Sequence, residues 1–286
     1  MTQPFDALDW RSLSQEALDS GLNNGAAVAG SGNTVEGWEK LSAEMRARHS
    51  AHLDLQYGPR ERNRIDFLKA APGAPTLLFI HGGYWQMRSK SAFTLFAAGP
   101  MAHDINVALI GYTLAPDATL EQIVAEIHAG IDYLAGRLPE LGADAKRLVA
   151  SGWSAGGHLT AMAMMNPHIK GGVAISGIYD LEPIRHSYLN VKLGLDEAMS
   201  KRNSPMLLKT VAAKPMALTV GGAELPLLRK QTADFAGHRA KSGSPVIYEE
   251  IPGTNHFTIM DEMAQPNGRI TTLIRQAQAG HSNQRQ

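Results

Sequence analysis

Apolar positions along this chain recur in two rhythms that alternate. Thr76-Leu77-Leu78-Phe79-Ile80 is a short unbroken apolar run, as expected of a strand buried on both faces. Similar runs at 105–110, 148–151, 173–175, 217–220 and 246–248 predict further strands. Between them, residues 119–138 place Leu120, Ile123, Val124, Ile127, Ile131 and Leu134 on one face at the helical period. Thr119 and Gln122 stand at capping-box spacing at the start of that helix. Segments 157–165 and 225–241, and a last one around Ile270, Leu273 and Ile274, are also predicted helical. Ahead of the first buried run, 52–57 alternates apolar and polar residues and 65–68 is a second short strand, with Gly58-Pro59 marking the turn between them. Strand-then-helix order predicts an α/β fold, a mainly parallel sheet with helices on both faces. In such sheets chemistry gathers at the carboxyl ends of the strands.

Residues 1–50 follow neither rhythm well. They are mostly polar, with an Asn23-Asn24-Gly25 turn signal, a Gly30-Ser31-Gly32-Asn33 loop and a charge-rich helix over 35–50. They are expected to form an N-terminal extension packed on the domain or covering its site, with 51–286 as the catalytic domain and a frayed tail over 276–286. Composition narrows the partners. With 27 basic and 27 acidic residues the formal charge is zero, so neither nucleic acid nor an acidic membrane is indicated. The absence of cysteine excludes disulfides, thiolate catalysis and cysteine–metal sites together. Met1-Thr2-Gln3-Pro4-Phe5-Asp6 has neither a basic nor an apolar leader, and no apolar run nears the roughly 18 residues of a membrane span. The expectation is a soluble, cytoplasmic chain without cofactor or metal, monomeric or homodimeric.

Chemistry enters at Gly152-Trp153-Ser154-Ala155-Gly156. A G-x-S-x-G sequence between a strand and a helix is the setting of a nucleophile elbow, where a strained turn projects the serine hydroxyl from the sheet edge. The N–H of Ala155 would then face a developing oxyanion. His81-Gly82-Gly83-Tyr84-Trp85 follows the strand ending at Ile80, where two glycines let the backbone present successive N–H groups to a ligand. Gly83 and Tyr84 are expected to join Ala155 in an oxyanion hole, with Gly82 providing the bend.

A serine needs a base, and eleven histidines compete. His158, one turn past the elbow, reads as packing or a structural hydrogen bond. His103, His128, His168, His186 and His238 face no evident site. His256 follows the last strand in Gly253-Thr254-Asn255-His256-Phe257, where a loop can hang over Ser154. The order serine, acid, histidine asks for a carboxylate between them. Glu224 fits, leaving a strand through Gly221-Gly222; Asp180, after Ser176, is the rival, and Asp196 a weaker one. Neither a zinc-binding H-E-x-x-H nor a glycine-rich phosphate loop is present.

Several stretches together resemble one family. His81-Gly82-Gly83-Tyr84-Trp85-Gln86, Tyr112-Thr113-Leu114-Ala115-Pro116, Ser154-Ala155-Gly156-Gly157-His158-Leu159, Ser176-Gly177-Ile178-Tyr179-Asp180-Leu181 and Asn255-His256-Phe257 are similar to motifs of the α/β-hydrolase superfamily. The branch they resemble holds the metal-independent kynurenine formamidases and related esterases. That resemblance implies Ser154 as nucleophile and His256 as base, and places Glu224 where the animal enzymes carry aspartate. It implies hydrolysis of N-formylkynurenine or a similar aryl formamide to arylamine and formate. The alternatives are a small-acyl carboxylesterase or amidase and, more remotely, a non-catalytic binding protein. Trp85, Trp153, Tyr179 and Phe257 flank the motifs as candidate walls for an aromatic substrate.

Overall fold

A computed structural model describes residues 8–208 and 214–279. The first seven residues, where the absent leader was read, and most of the tail read as frayed lie outside the described residues. Its centre is one sheet of eight strands: β1 (Leu55–Gln56), β2 (Arg64–Leu68), β3 (Thr76–Ile80), β4 (Asn106–Ile110), β5 (Leu148–Trp153), β6 (Ile169–Ile175), β7 (Met216–Gly221) and β8 (Val246–Ile251). Their spatial order is β1-β2-β4-β3-β5-β6-β7-β8. The β1/β2 and β2/β4 pairs are antiparallel and all later pairs parallel. Every residue of β3, β4 and β5 is buried, which is why these strands read as unbroken apolar runs.

Helices cover both faces. The helix Leu120–Arg137 carries the complete Thr119/Gln122 capping box and buries Ile123, Ile127, Ile131 and Leu134. Its neighbour Ala155–Ala163 is buried along its whole length and opens directly on Ser154. Pro226–Lys241 and Arg269–Ala279 follow β7 and β8; residues 276–279, expected to fray, are the last turn of the latter. β6 starts ahead of the predicted run 173–175 and includes Gly171 and Gly172; a Cβ on Gly172 would meet the Met164 sulfur at 2.9 Å.

The N-terminal residues pack on both sides of this frame. Leu18 and Leu22 join the core cluster that includes Tyr179, Leu181 and Leu227. The helix Ser31–Arg48 inserts Val35 and Trp38 into the opposite cluster, beside Phe93, Phe96, Trp153 and Phe257. A partly buried ion network centred on Asp66 ties the same helix to β2. Arg46 pairs with Asp66 at 3.0 Å, and Lys90 reaches Asp66 at 2.7 Å and Asp54 at 2.8 Å. Among the described residues no helix is long and apolar enough to cross a membrane.

Candidate active site

The elbow is built by close backbone approach. Ser154 follows β5 at φ 57°, ψ −119°, a region costly for any residue but glycine, and its N–H donates to the Ile175 carbonyl at 2.8 Å. Strain of this kind persists only where the surroundings over-determine it. Here the helix presses against β3 so tightly that a Cβ on Gly156 would sit 2.0 Å from the Ile80 carbonyl oxygen. The hydroxyl-bearing residue is thereby fixed at the carboxyl end of the sheet, between the ends of β3 and β6.

The loop after β3 lies directly against it, since a Cβ on Gly82 would come within 3.1 Å of Ser154 Cβ. Gly83, Tyr84 and Trp85 all have positive φ, at 115°, 49° and 59°. Gly83 also leaves no room for a side chain, with the Met87 carbonyl oxygen 2.4 Å from its would-be Cβ. Within the described residues the Gly83 and Tyr84 N–H groups donate to no backbone carbonyl. Ala155, as first residue of its helix, has an N–H with no intrahelical acceptor. These three N–H groups thus have no backbone acceptor among the described residues. Tyr112, from another of the resembling motifs, steadies this loop: its hydroxyl donates to the His81 carbonyl at 2.9 Å and its ring stacks on the His81 imidazole at 4.3 Å.

His256 and Glu224 meet on the far side of the elbow. His256 Nδ1 lies 2.7 Å from Glu224 Oε2, with both side chains almost wholly buried. A carboxylate can only accept, so Nδ1 carries the hydrogen and Nε2 is left with its lone pair free to take a proton. The other carboxylate oxygen is held twice: Ser176 Oγ donates to Oε1 at 2.5 Å and the Gly221 N–H at 2.7 Å. Ser176 sits at the end of β6 with φ 51° and donates its N–H to the Thr219 carbonyl at 2.7 Å. Nothing in local sequence marks this serine, 48 residues from its partner, as a support for the acid.

Asp180, the rival acid, is engaged elsewhere. Its carboxylate accepts from the Glu182 N–H at 3.0 Å, two residues on, and burial pushes its pKa up. Asp196 caps a helix, accepting from the Met199 N–H.

The buried histidines divide by role. His158 donates Nε2–H to the Asn203 carbonyl at 2.8 Å, and burial draws its pKa down to about 4. His81 donates Nδ1–H to the Gly82 carbonyl at 2.8 Å, and burial draws it down to about 3. Both are neutral structural groups. Among the described residues no three His, Asp or Glu side chains gather as metal ligands.

The four rings expected to wall a substrate site turn inward instead. Trp85 is fully buried, edge-on to His158 at 5.0 Å. Tyr179 is fully buried and stacks on Phe235 at 4.4 Å. Trp153 and Phe257 pack 5.8 Å apart, and Trp38 touches both. Their surfaces are spent on the core, because adjacency to a motif says nothing of where a ring points from a strained turn. The open space beside the base lies elsewhere: a cleft of about 130 Å³ reaches His256 and Glu224, bordered on one side by Asn24, Ala27 and Val28.

Similarity to known proteins agrees with this geometry. A BD-FAE family model matches residues 68–202. Kynurenine formamidase from Salmo salar is 30% identical over 240 residues, covering 78% of this chain and 80% of that protein. The Danio rerio kynurenine formamidase is 29% identical over 238 residues with the same coverage. Among solved structures, a protein assigned as a thioesterase from Silicibacter sp. TM1040 superposes with a TM-score of 0.82 at 26% identity, covering 90% of this chain and 98% of that one. The sheet order, the elbow and this relatedness together place the chain in the kynurenine formamidase family of α/β hydrolases, as a hydrolase of the formamidase and esterase type.

Proposed function

We propose that this hydrolase cleaves an N-aryl formamide, N-formylkynurenine or a close analogue, to the arylamine and formate, with Ser154, His256 and Glu224 as its triad. The observation that carries the assignment of roles is the 2.7 Å bond between His256 Nδ1 and Glu224 Oε2, which leaves Nε2 as the base. Ser154 Oγ attacks the formyl carbon while Nε2 takes the hydroxyl proton. The N–H groups of Gly83, Tyr84 and Ala155 receive the oxyanion. Collapse breaks the C–N bond as His256 returns the proton to the leaving nitrogen, and the arylamine departs. Water then attacks the formyl-enzyme with its proton going to Nε2, and formate leaves as the serine regains its hydrogen. Glu224 holds the imidazole in the required tautomer and stabilises imidazolium throughout.

The preference for a small acyl group belongs to the same proposal and rests on the relatedness to the kynurenine formamidases. Discrimination per methylene is about 1–3 kcal/mol, so slow cleavage of acetyl derivatives is expected. The test is a series of formyl, acetyl, butyryl and octanoyl derivatives of one arylamine and one phenol. kcat/KM should fall along the series; a rise toward octanoyl overturns the formamidase reading. In the same assay Ser154→Ala should abolish turnover, and retained activity would overturn the serine mechanism.

A further inference from the structure

Resting on that reading, we infer that the cleft beside His256 is the subsite for the aryl leaving group, and that the N-terminal segment builds one of its walls. Ala27 and Val28 stand on one side and Ala223, Leu225 and Pro226 on the other, with His256 and Glu224 at its inner end. The wall side chains other than Asn24 are apolar, and Ala27 and Pro226 are exposed, so the mouth is open.

Position assigns the occupant. His256 must deliver its proton to the leaving nitrogen, so whatever that nitrogen carries lies on the His256 side of the scissile bond. The cleft touches His256 and Glu224 and is bordered by neither Ser154 nor the oxyanion loop, so it lies on the side of the base. That side is where a leaving group, and not an acyl group, would sit. Size assigns the class. At about 130 Å³ it is close to the roughly 150 Å³ that lodges one benzene ring. Substituents on the ring would pass out through the open mouth.

The wall is held in place from within. Tyr84 Oη donates its single hydrogen to the Leu22 carbonyl, which can only accept. The contact between Asn24 and the same hydroxyl, at 3.0 Å, must then be donated by Asn24 Nδ2. Two residues ahead of Ala27 and Val28 are thus pinned to the loop that supplies the oxyanion donors. Gly21 packs against the other wall's helix, a Cβ there falling 2.7 Å from Leu227 Cδ1.

The experiment compares three formyl substrates: an aryl formamide, the matching aryl formate ester, and a formate ester of a one- or two-carbon alcohol. In Ala27→Phe, which fills the cleft from an exposed position, kcat/KM for both aryl substrates should fall at least tenfold relative to the alkyl ester, mainly through KM. Val28→Ala, which widens it, should raise the rate on a naphthyl formate relative to the phenyl ester several-fold. Equal losses on aryl and alkyl substrates in the first variant, or no gain on naphthyl in the second, overturn the subsite. A parent that cleaves the aryl formate but not the formamide overturns the amide reading instead, and the ester ratios still judge the cleft.

Discussion

The indole N–H of Trp153 donates to the backbone carbonyl of His256 at 2.8 Å, and the two rings lie 4.7 Å apart. The residue before the elbow serine therefore holds the loop that carries the proposed base. Trp153→Phe keeps most of the ring packing but leaves a buried carbonyl unpaired, at a cost of about 1–3 kcal/mol. Turnover should fall about tenfold with KM little changed, since misplacing a catalytic group acts on the chemical step. Steady-state kinetics with a thermal melt check this, and a stability loss with unchanged kcat would contradict it.

Ser176 should act through Glu224. Two donors on Oε1 fix the carboxylate plane so that Oε2 faces His256, and a glutamate has one more rotatable bond to restrain than an aspartate. Ser176→Ala should reduce kcat by about 10–100-fold, the range of about 1.5–3 kcal/mol for a hydrogen bond to a charged group. In a Glu224→Gln background the same change should add almost nothing. Additive losses would assign Ser176 a purely structural part.

Between the two candidate acids, Glu224→Gln should lower turnover by up to about 10⁴-fold, because an amide no longer enforces the productive tautomer. Asp180→Asn keeps an oxygen that can accept from the Glu182 N–H, so it should change stability by less than about 1 kcal/mol, with kcat close to parental. Kinetics on the two variants decide, and the reverse ranking would move the acid role to Asp180.

Stability should fall on acidification because buried histidines resist charging. His158 is held neutral down to about pH 4 and His81 to about pH 3. In the unfolded chain both take up protons below about pH 6.5. Their folded pKa values are depressed, so the stability they confer is whole above about 6.5 and is lost as pH falls toward the folded values. The slope is about 1.4 kcal/mol per pH unit for each, or about 2 kcal/mol apiece at pH 5. His158→Gln retains a donor for the Asn203 carbonyl. It should shrink the difference in urea stability between pH 7.5 and 5 by about 2 kcal/mol. An unchanged difference would show that His158 does not contribute.

How far the chain could be read depended on how local each feature is. The strand Thr76–Ile80 and the helix Leu120–Arg137 carry their own periodicity, and the structure keeps both almost to the residue. The elbow helix begins at Ala155 and not at Gly157. Two glycines lower helix propensity there, yet the contact with Ile80 admits nothing larger at Gly156. Ser31 to Asn33 have loop composition but form the first turn of the helix Ser31–Arg48, after Gly30 at φ 74°. The extended 3₁₀ segment Lys90–Ala97 left no periodic signal, and its burial comes from the N-terminal helix lying over it. In the site, motif order pointed to Ser154, His256 and Glu224 because each closes a strand. Ser176 and Tyr112 stand in the resembling motifs, but their roles, like the Asn24 wall, were out of reach, since their partners are distant in sequence and chosen by the fold alone.

The hydroxyl of Tyr84, held by Leu22 and Asn24, also changes what counts as the minimal enzyme. A chain cut back to its sheet at residue 51 would retain serine, histidine and glutamate while losing half of the leaving-group pocket and the prop of the oxyanion loop. On the proposed assignment of the cleft, preference for the departing amine or alcohol depends in part on a short segment that precedes the first strand and carries no triad residue. Transplanting that segment between relatives should then shift leaving-group selectivity while the reacting groups keep their identity.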